Sequence, residues 1–68
     1  MINQRLKDPL SVRELEVMKL IFDGKTNQQI SDELFLSINT IKTHLSRLFG
    51  KLNAGSRTEA IARVRSLM

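Results

Sequence analysis

The sequence contains no cysteine, tryptophan or tyrosine, and only one proline and three glycines among its 68 residues. Without cysteine, neither a disulfide framework nor a thiolate metal site is available to stabilise the chain. Few prolines and glycines, together with 41% hydrophobic residues, argue for a packed helical domain and against a linker or disordered tail. A chain of this length forms one small domain, for which we expect extra stabilisation from a partner, from oligomerisation or from a larger protein.

Long hydrophobic runs are also missing. The N-terminal segment MINQRLKDPL lacks the apolar stretch of a signal peptide. No window approaches the roughly 20 apolar residues that a membrane-spanning helix needs. The sequence therefore predicts a cytoplasmic protein that has no membrane segment.

Groups that could perform catalysis or bind a metal are sparse. The chain has one histidine, His44, and neither a nucleophile–base pair nor a phosphate-binding glycine loop. A lone histidine without cysteine or a neighbouring acid is a poor metal site. We expect His44 to be a partly buried packing residue, with contact to a phosphate as the alternative. We predict no enzymatic activity, no metal and no cofactor.

Acidic residues are absent from one long segment, between Glu33 and Glu59. The other seven basic residues of the chain are balanced by its seven acidic residues, so the net charge of +4 lies in this segment. Such an uneven distribution favours an anionic partner, whereas a solvated basic face without a function is the alternative. The basic residues of the segment are Lys42, Arg47, Lys51 and Arg57.

Helix-start signals recur along the chain. In SVRE, TNQQ and SRTE, a serine or threonine is followed three residues later by glutamate or glutamine, a pair that satisfies two backbone N–H groups. The segment SINT supplies a serine cap without the acid. Gly24 is expected to end the first helix in the left-handed conformation. These signals predict four helices, which begin after Ser11, Thr26, Ser37 and Ser56.

The connection between the second and third predicted helices is very short. Helix 2 should end at about Leu34 or Phe35, and helix 3 begins after Ser37, so the chain must turn sharply. A short helix, a tight turn and a longer helix with a polar outer face form the helix-turn-helix arrangement. The apolar residues of helix 3 recur at helical spacing and are predicted to face the core: Ile38, Ile41, Leu45, Leu48, Phe49 and Leu52.

The opposite face of helix 3 carries small polar and basic side chains. The major groove of DNA admits one α-helix and exposes donors, acceptors and thymine methyl groups. The candidates for base contacts are Asn39, Lys42, Thr43 and Ser46. Helix N-termini and nearby polar or basic side chains favour phosphates. The candidates for backbone contacts are Thr26, Asn27, Ser37, Thr40, Arg47 and Lys51.

Each of these assignments has an alternative that needs no DNA. Thr26 and Ser37 could serve only as helix caps. Arg47 and Lys51 could belong to a solvated face. Helix 4 carries a narrow apolar stripe that closes the core, or mediates self-association, or does both. The residues of this candidate dimerisation stripe are Ala60, Ile61, Val64 and Leu67.

In combination, the segments LSVRELEV, TNQQISDEL, SINTIKTHLSRLFGKL and SRTEAI resemble the LuxR-type helix-turn-helix domain, the DNA-binding module of many bacterial regulators. The resemblance runs from Leu10 to Ile61, about three quarters of the chain. It implies a fold in which helix 3 enters the major groove and helix 4 forms a two-fold dimer on DNA. The family's base-contacting positions correspond to Lys42, Thr43 and Ser46. Its backbone-contacting positions correspond to Thr26, Asn27, Thr40 and Lys51.

The sequence departs from the family's pattern at a few positions. Gln29 and Ser31 replace a frequent glutamate and alanine of helix 2, and both preserve capping and packing. Ser46 stands where several relatives have a basic residue, so the chain's own sequence preference should be decided there. Gly50 is unusual inside a helix, where glycine costs about 1 kcal/mol against alanine. It either permits close packing or allows a change of direction.

These observations predict an all-α, compact four-helix bundle that contains a helix-turn-helix. Its function would be sequence-specific binding of double-stranded DNA, regulating bacterial transcription as a homodimer, with RNA polymerase as a further candidate partner. The alternative is a helical protein-interaction module that uses the apolar stripes of helices 1 and 4. Residues 1–9 are interpreted as an N-terminal extension or linker and residues 10–68 as the DNA-binding domain.

Two forms of the regulator fit the sequence. The domain is either free-standing and controlled by its own abundance, or the C-terminal part of a larger regulator. The ending SRTEAIARVRSLM is similar to that of large ATP-dependent regulators of the same superfamily, which favours the second form. Neither the operator nor the direction of regulation follows from the residues.

Overall fold

Four helices follow one another along the chain in the computed structural model, which describes residues 9–67 except for the side chain of Leu67. No strand occurs in this part of the chain, so the predicted all-α, four-helix fold is confirmed. None of its helices combines the length and the apolarity needed to cross a membrane. The helices are α1 (Val12–Phe22), α2 (Asn27–Leu34), α3 (Ile38–Leu52) and α4 (Arg57–Leu67).

The predicted caps begin the first three helices. Ser11, Thr26 and Ser37 each accept a hydrogen bond from the backbone N–H three residues later, at 3.1 Å in all three cases. At the first two caps the reciprocal bond is also present, since the side chains of Glu14 and Gln29 accept the backbone N–H groups of the two cap residues. Helix α1 ends as predicted, with Gly24 at a φ of 82°. These local signals placed the helix starts correctly because cap and partner are only three residues apart.

The start of α4 differs in one detail from the predicted reciprocal cap. Ser56 Oγ accepts the Glu59 N–H at 3.2 Å, as expected. The Glu59 carboxylate, however, accepts its hydrogen bond from the backbone N–H of Gly55, at 2.9 Å. The Glu59 carboxylate therefore provides a hydrogen-bond partner for the N–H of Gly55 rather than for that of Ser56.

A tight turn joins α2 to α3. Phe35 adopts the left-handed conformation, with φ of 56° and ψ of 42°, and the residue is 94% exposed. Ser31 anchors the turn from α2: its carbonyl accepts the Leu36 N–H at 3.1 Å, and its hydroxyl donates to the Leu36 carbonyl. The predicted sharp turn is confirmed, and a buried serine holds it closed.

Helix α3 lies at the centre of the domain and packs against the other three helices. Its apolar stripe is buried as predicted at Ile41, Leu45, Leu48 and Leu52, and partly buried at its two remaining members. The packing of its inner face against three helices leaves the opposite face of α3 at the surface. The buried apolar residues of the other elements are Leu10, Val17, Met18, Ile21, Ile30, Ala60 and Val64.

Candidate nucleic-acid interface

The predicted base-contacting residues share one exposed face of α3. Asn39, Lys42, Thr43 and Ser46 are all exposed, and their spacing of three or four residues aligns them along the helix. The side chains of Lys42 and Ser46 make no hydrogen bond or ion pair with the rest of residues 9–67. Their polar groups are therefore available to a molecule outside the domain.

The hydroxyl of Thr43 is already engaged. Its Oγ1 donates to the backbone carbonyl of Asn39, one turn earlier, at 3.1 Å. This bond commits the hydroxyl hydrogen, which leaves the methyl group and an oxygen lone pair for an external contact. Thr43 is consequently better suited to an apolar contact than to donating a hydrogen bond.

Thr26 and Ser37 are exposed, and each caps the N-terminus of its helix. Ser37 Oγ accepts the N–H of Thr40 and also donates to its hydroxyl, Oγ1, at 2.9 Å. Thr26 exchanges two hydrogen bonds with Gln29, at 2.8 and 3.1 Å. The capping role that needs no DNA is therefore realised at both residues, and a phosphate contact would be additional to it.

Arg47 and Lys51 occupy different environments although both lie on α3. Arg47 is exposed, and no acid of the described chain pairs with it. Lys51 Nζ lies 2.7 Å from Glu14 Oε1 and donates to the Pro9 carbonyl at 3.1 Å. The phosphate contact predicted for Lys51 would have to compete with this ion pair.

Glu14 is the partner that the sequence did not reveal. Only 3% of it is exposed, and Oε1 accepts hydrogen bonds from Lys51 and from the backbone N–H of Ser11, while Oε2 is buried without a partner. Burial alone would raise the pKa of this carboxyl, but the hydrogen bonds from Lys51 and Ser11 outweigh it and hold the pKa below its usual value. The capping motif predicted the bond to Ser11, whereas nothing local signalled the contact with Lys51, 37 residues away.

Arg57 is a second residue whose contacts the sequence did not predict. Its guanidinium donates to the Lys25 carbonyl at 2.9 Å and to Oδ1 of Asn27. Asn27, a candidate for backbone contact, is thus tied to the first residue of α4. The only signal of Arg57 in the sequence was its membership of the acid-free segment.

The apolar stripe of α4 is used mostly inside the domain. Ala60 is 0% and Val64 is 5% exposed, because both pack in the core. Of the two roles predicted for this stripe, the core role is therefore realised at Ala60 and Val64, while a dimer contact through α4 stays a prediction. Ile61 is only partly buried. The side chain of Leu67 lies outside the described part of the structure.

Comparison with known proteins decides the family. The profile of the family described as bacterial regulatory proteins, luxR family, matches residues 8–64. This chain belongs to the luxR family. It is 47% identical over 53 residues to the transcriptional regulatory protein LiaR of Bacillus subtilis, covering 78% of this chain and 25% of LiaR. It is 45% identical over 60 residues to the HTH-type transcriptional regulator MalT of Vibrio campbellii, covering 88% of this chain and 7% of MalT.

Solved structures of related regulators have the same fold as this luxR-family domain. The ComA DNA-binding domain, crystallised in complex with the anti-activator RapF, is 43% identical, with a TM-score of 0.80, 82% of this chain covered and 97% of that one. The response regulator ChrA of a heme-sensing two-component system is 39% identical, with a TM-score of 0.81, 93% of this chain covered and 33% of ChrA. The chain spans at most about a quarter of the curated relatives named above. What it shares with them is the DNA-binding domain of a transcriptional regulator.

Proposed function

We propose that this luxR-family domain binds a specific site on double-stranded DNA by inserting α3 into the major groove, and that it regulates transcription as a homodimer on a two-fold site. The observation that carries the proposal is the outer face of α3. There, exposed Asn39, Lys42, Thr43 and Ser46 line up with no acid among them. The major groove accommodates one α-helix and presents donors and acceptors to such side chains.

Phosphate contacts complete the proposed binding mode. Thr26 and Ser37 mark the N-termini of α2 and α3, where unpaired N–H groups and the helix dipole favour an anion. Asn27 and Thr40 follow these caps closely, and exposed Arg47 adds a charge that no acid neutralises. These groups would hold the register of α3 on the duplex, while base contacts supply the sequence preference.

A titration on duplex DNA at several salt concentrations tests the proposal. The probe is a duplex selected from a random-sequence pool by the unaltered chain. The logarithm of the affinity should fall linearly with the logarithm of the salt concentration, with a slope that reports the phosphates engaged. Negligible binding at low salt would refute the proposal. Lys42→Ala should weaken specific binding by about 1 to 3 kcal/mol if Lys42 bonds to a guanine.

Because the Thr43 hydroxyl already donates to the Asn39 carbonyl, we expect the Thr43 methyl group to contact the methyl group of a thymine. Replacing thymines of the selected duplex by uracil, one at a time, removes single methyl groups. At the position facing Thr43, this should lower the affinity about fourfold, the value of one buried methylene. Thr43→Val keeps the methyl and should stay sensitive, whereas Thr43→Ser keeps the hydroxyl and should become insensitive. Equal sensitivity of the two variants would contradict the methyl contact.

A homodimer formed through α4 has to use the part of the stripe that the core leaves exposed. Of the three stripe residues whose side chains are described, only Ile61 remains partly exposed. A dimer formed through α4 should therefore involve Ile61 and its exposed neighbours. Ile61→Glu should abolish cooperative occupancy of two half-sites while leaving binding to a single half-site, as measured by gel mobility shift. Unchanged cooperativity would place the dimer contact elsewhere.

The alternative of a protein-interaction module loses much of its proposed surface. The stripes of α1 and α4 that would bind a partner contribute Val17, Met18, Ile21, Ala60 and Val64 to the core. ComA's DNA-binding domain has been crystallised with the anti-activator RapF, which keeps a protein partner as a second candidate role for this domain. Such a partner would have to use other residues, and DNA binding remains the function that the exposed face of α3 favours.

A further inference from the structure

Arg57 occupies a position that its own helix does not favour. It is the first residue of α4, where the positive end of the helix dipole repels a cation. The guanidinium turns instead to the segment before α2 and donates to the Lys25 carbonyl at 2.9 Å and to Asn27 Oδ1. Arg57 thus connects α4 to the start of α2, 30 residues away in sequence.

The contact with Arg57 sets the orientation of the Asn27 side-chain amide. An arginine side chain only donates hydrogen bonds, so the atom of Asn27 that faces it must be the amide oxygen. The two N–H donors of the same amide consequently lie on its other side. Asn27 is the first residue of α2, directly after the exposed cap Thr26. A fixed amide at this place presents donors beside the unpaired backbone N–H groups of the helix.

The charge around this contact is of one sign. A shallow groove between the α1–α2 loop and α4 contains Lys25, Thr26, Asn27, Gln28 and Arg57, and no acidic residue lines it. The acidic residues Glu16, Asp23 and Glu33 line a different groove, between α1 and α2. A negatively charged group at the start of α2 would therefore lie in a groove lined by Lys25 and Arg57 and by no carboxylate.

We propose that Arg57 is a positioning residue for DNA binding: it holds the oxygen of Asn27 so that the Asn27 N–H donors meet one phosphate. The inference rests on the proposed function, because it assumes that the start of α2 faces the DNA backbone. It assigns to Arg57 an indirect role through Asn27. It also joins the DNA contact of α2 to α4.

A double-mutant cycle tests the indirect role. Arg57→Met, Asn27→Ala and the double variant are titrated against the selected duplex at several salt concentrations, and circular dichroism reports the folded fraction of each variant in the binding buffer. Arg13→Met is the matched control, since Arg13 is an exposed arginine of α1 that pairs only with Glu16 in the described structure. Arg57→Lys, which keeps a donor and the charge, should restore part of the affinity.

The expected result is a non-additive loss. Each single variant should weaken binding by about five- to tenfold, as for one hydrogen bond, and the double variant should bind no more weakly than Asn27→Ala. The salt slope of Arg57→Met should match that of the Arg13→Met control. Additive losses, or a slope lower by about one than in the control, would overturn the inference, because Arg57 would then contact a phosphate itself.

Two further outcomes separate this inference from the proposed function. If Arg57→Met, corrected for its folded fraction, binds as tightly as the unaltered chain, the positioning role is wrong while DNA binding stands. If the unaltered chain fails to bind duplex DNA at low salt, the proposed function falls and this inference falls with it.

Discussion

Two neighbouring regions of α3, the exposed face around Arg47 and the last turn around Lys51, carry the same charge but use it differently. Arg47 projects from the domain without an acidic partner in the described chain. Lys51, one turn later, is held at 2.7 Å from Glu14. The segment between Glu33 and Glu59 is free of acids in sequence, yet folding brings an acid from α1 against its last turn. The charge of a sequence segment therefore does not tell which of its basic side chains are free to bind an external anion, because folding can pair them with distant acids.

This difference narrows the candidate DNA-binding surface. The exposed face from Asn39 to Arg47 is accessible to a partner, whereas the ammonium group of Lys51 in the last turn is paired with Glu14. Within α3, the basic residues that no acid of the described chain neutralises, Lys42 and Arg47, both lie in the N-terminal two thirds of the helix. The most direct ways to test this contrast change one region at a time.

The largest effect is expected when Lys51 is removed. Lys51→Met leaves the Glu14 carboxylate 3% exposed and without its cation. We expect the free energy of unfolding to fall by about 2 to 3 kcal/mol, somewhat less than for a fully buried pair, because 30% of the Lys51 side chain is exposed. Urea denaturation measures this loss. The salt slope of DNA binding by the folded variant should change little, and a slope reduced by about one would restore Lys51 as a phosphate contact.

Acidification should weaken the same pair. The pKa of Glu14 is lowered in the folded state, by hydrogen bonds that outweigh its burial. Its contribution to stability is therefore complete above the unfolded value, near 4.3, and is lost as pH falls through the lower folded value. The stability difference between the unaltered chain and Glu14→Gln, from urea denaturation at each pH, should shrink below about pH 4.3. A difference that grows on acidification would contradict the direction of this shift.

Arg47→Met should give the opposite pattern from Lys51→Met. Because Arg47 is exposed and unpaired, the free energy of unfolding should stay within about 0.5 kcal/mol of the unaltered value. The salt slope for DNA binding should fall by about one if Arg47 contacts a phosphate. A changed base preference with an intact slope would mean that Arg47 contacts bases instead.

At Gly50 we expect a modest gain in stability, in contrast to the loss expected at Lys51. Helix α3 continues through this exposed residue, and a methyl group added there would meet no atom within 4 Å. Close packing inside the domain therefore does not explain the glycine. Gly50→Ala should raise the free energy of unfolding by up to about 1 kcal/mol. If stability rises while DNA affinity drops, the DNA backbone approaches this position closely; no gain in stability would contradict the prediction.

Local features of the fold could be predicted from the sequence. The starts of α1, α2 and α3 follow from caps at Ser11, Thr26 and Ser37, since each signal spans only three residues. The turn between α2 and α3 follows from the length of its connection. The left-handed Phe35 did not follow, because an aromatic residue is unusual in that conformation.

Features that depend on contacts between distant residues could not be predicted. Glu14 meets Lys51 and Asn27 meets Arg57 across at least 30 residues, and no periodicity reports such pairs. The apolar stripe of α4 is another example, since the sequence pattern of Ala60 and Val64 is the same whether they pack in the core of the domain or in a dimer interface. The candidate base contacts on α3 could be identified because exposure there follows from helical spacing, although their role in DNA binding remains a prediction.

The hydrogen bond from Lys51 to the Pro9 carbonyl has a mechanical consequence. The same ammonium group donates to the Pro9 carbonyl and to the carboxylate of Glu14, which lies in the first turn of α1. Polar contacts, in addition to the apolar packing of the core, therefore join the last turn of α3 to Pro9 and to the first turn of α1. The end of α3 opposite its N-terminal cap is therefore fastened to two other parts of the domain by a single side chain.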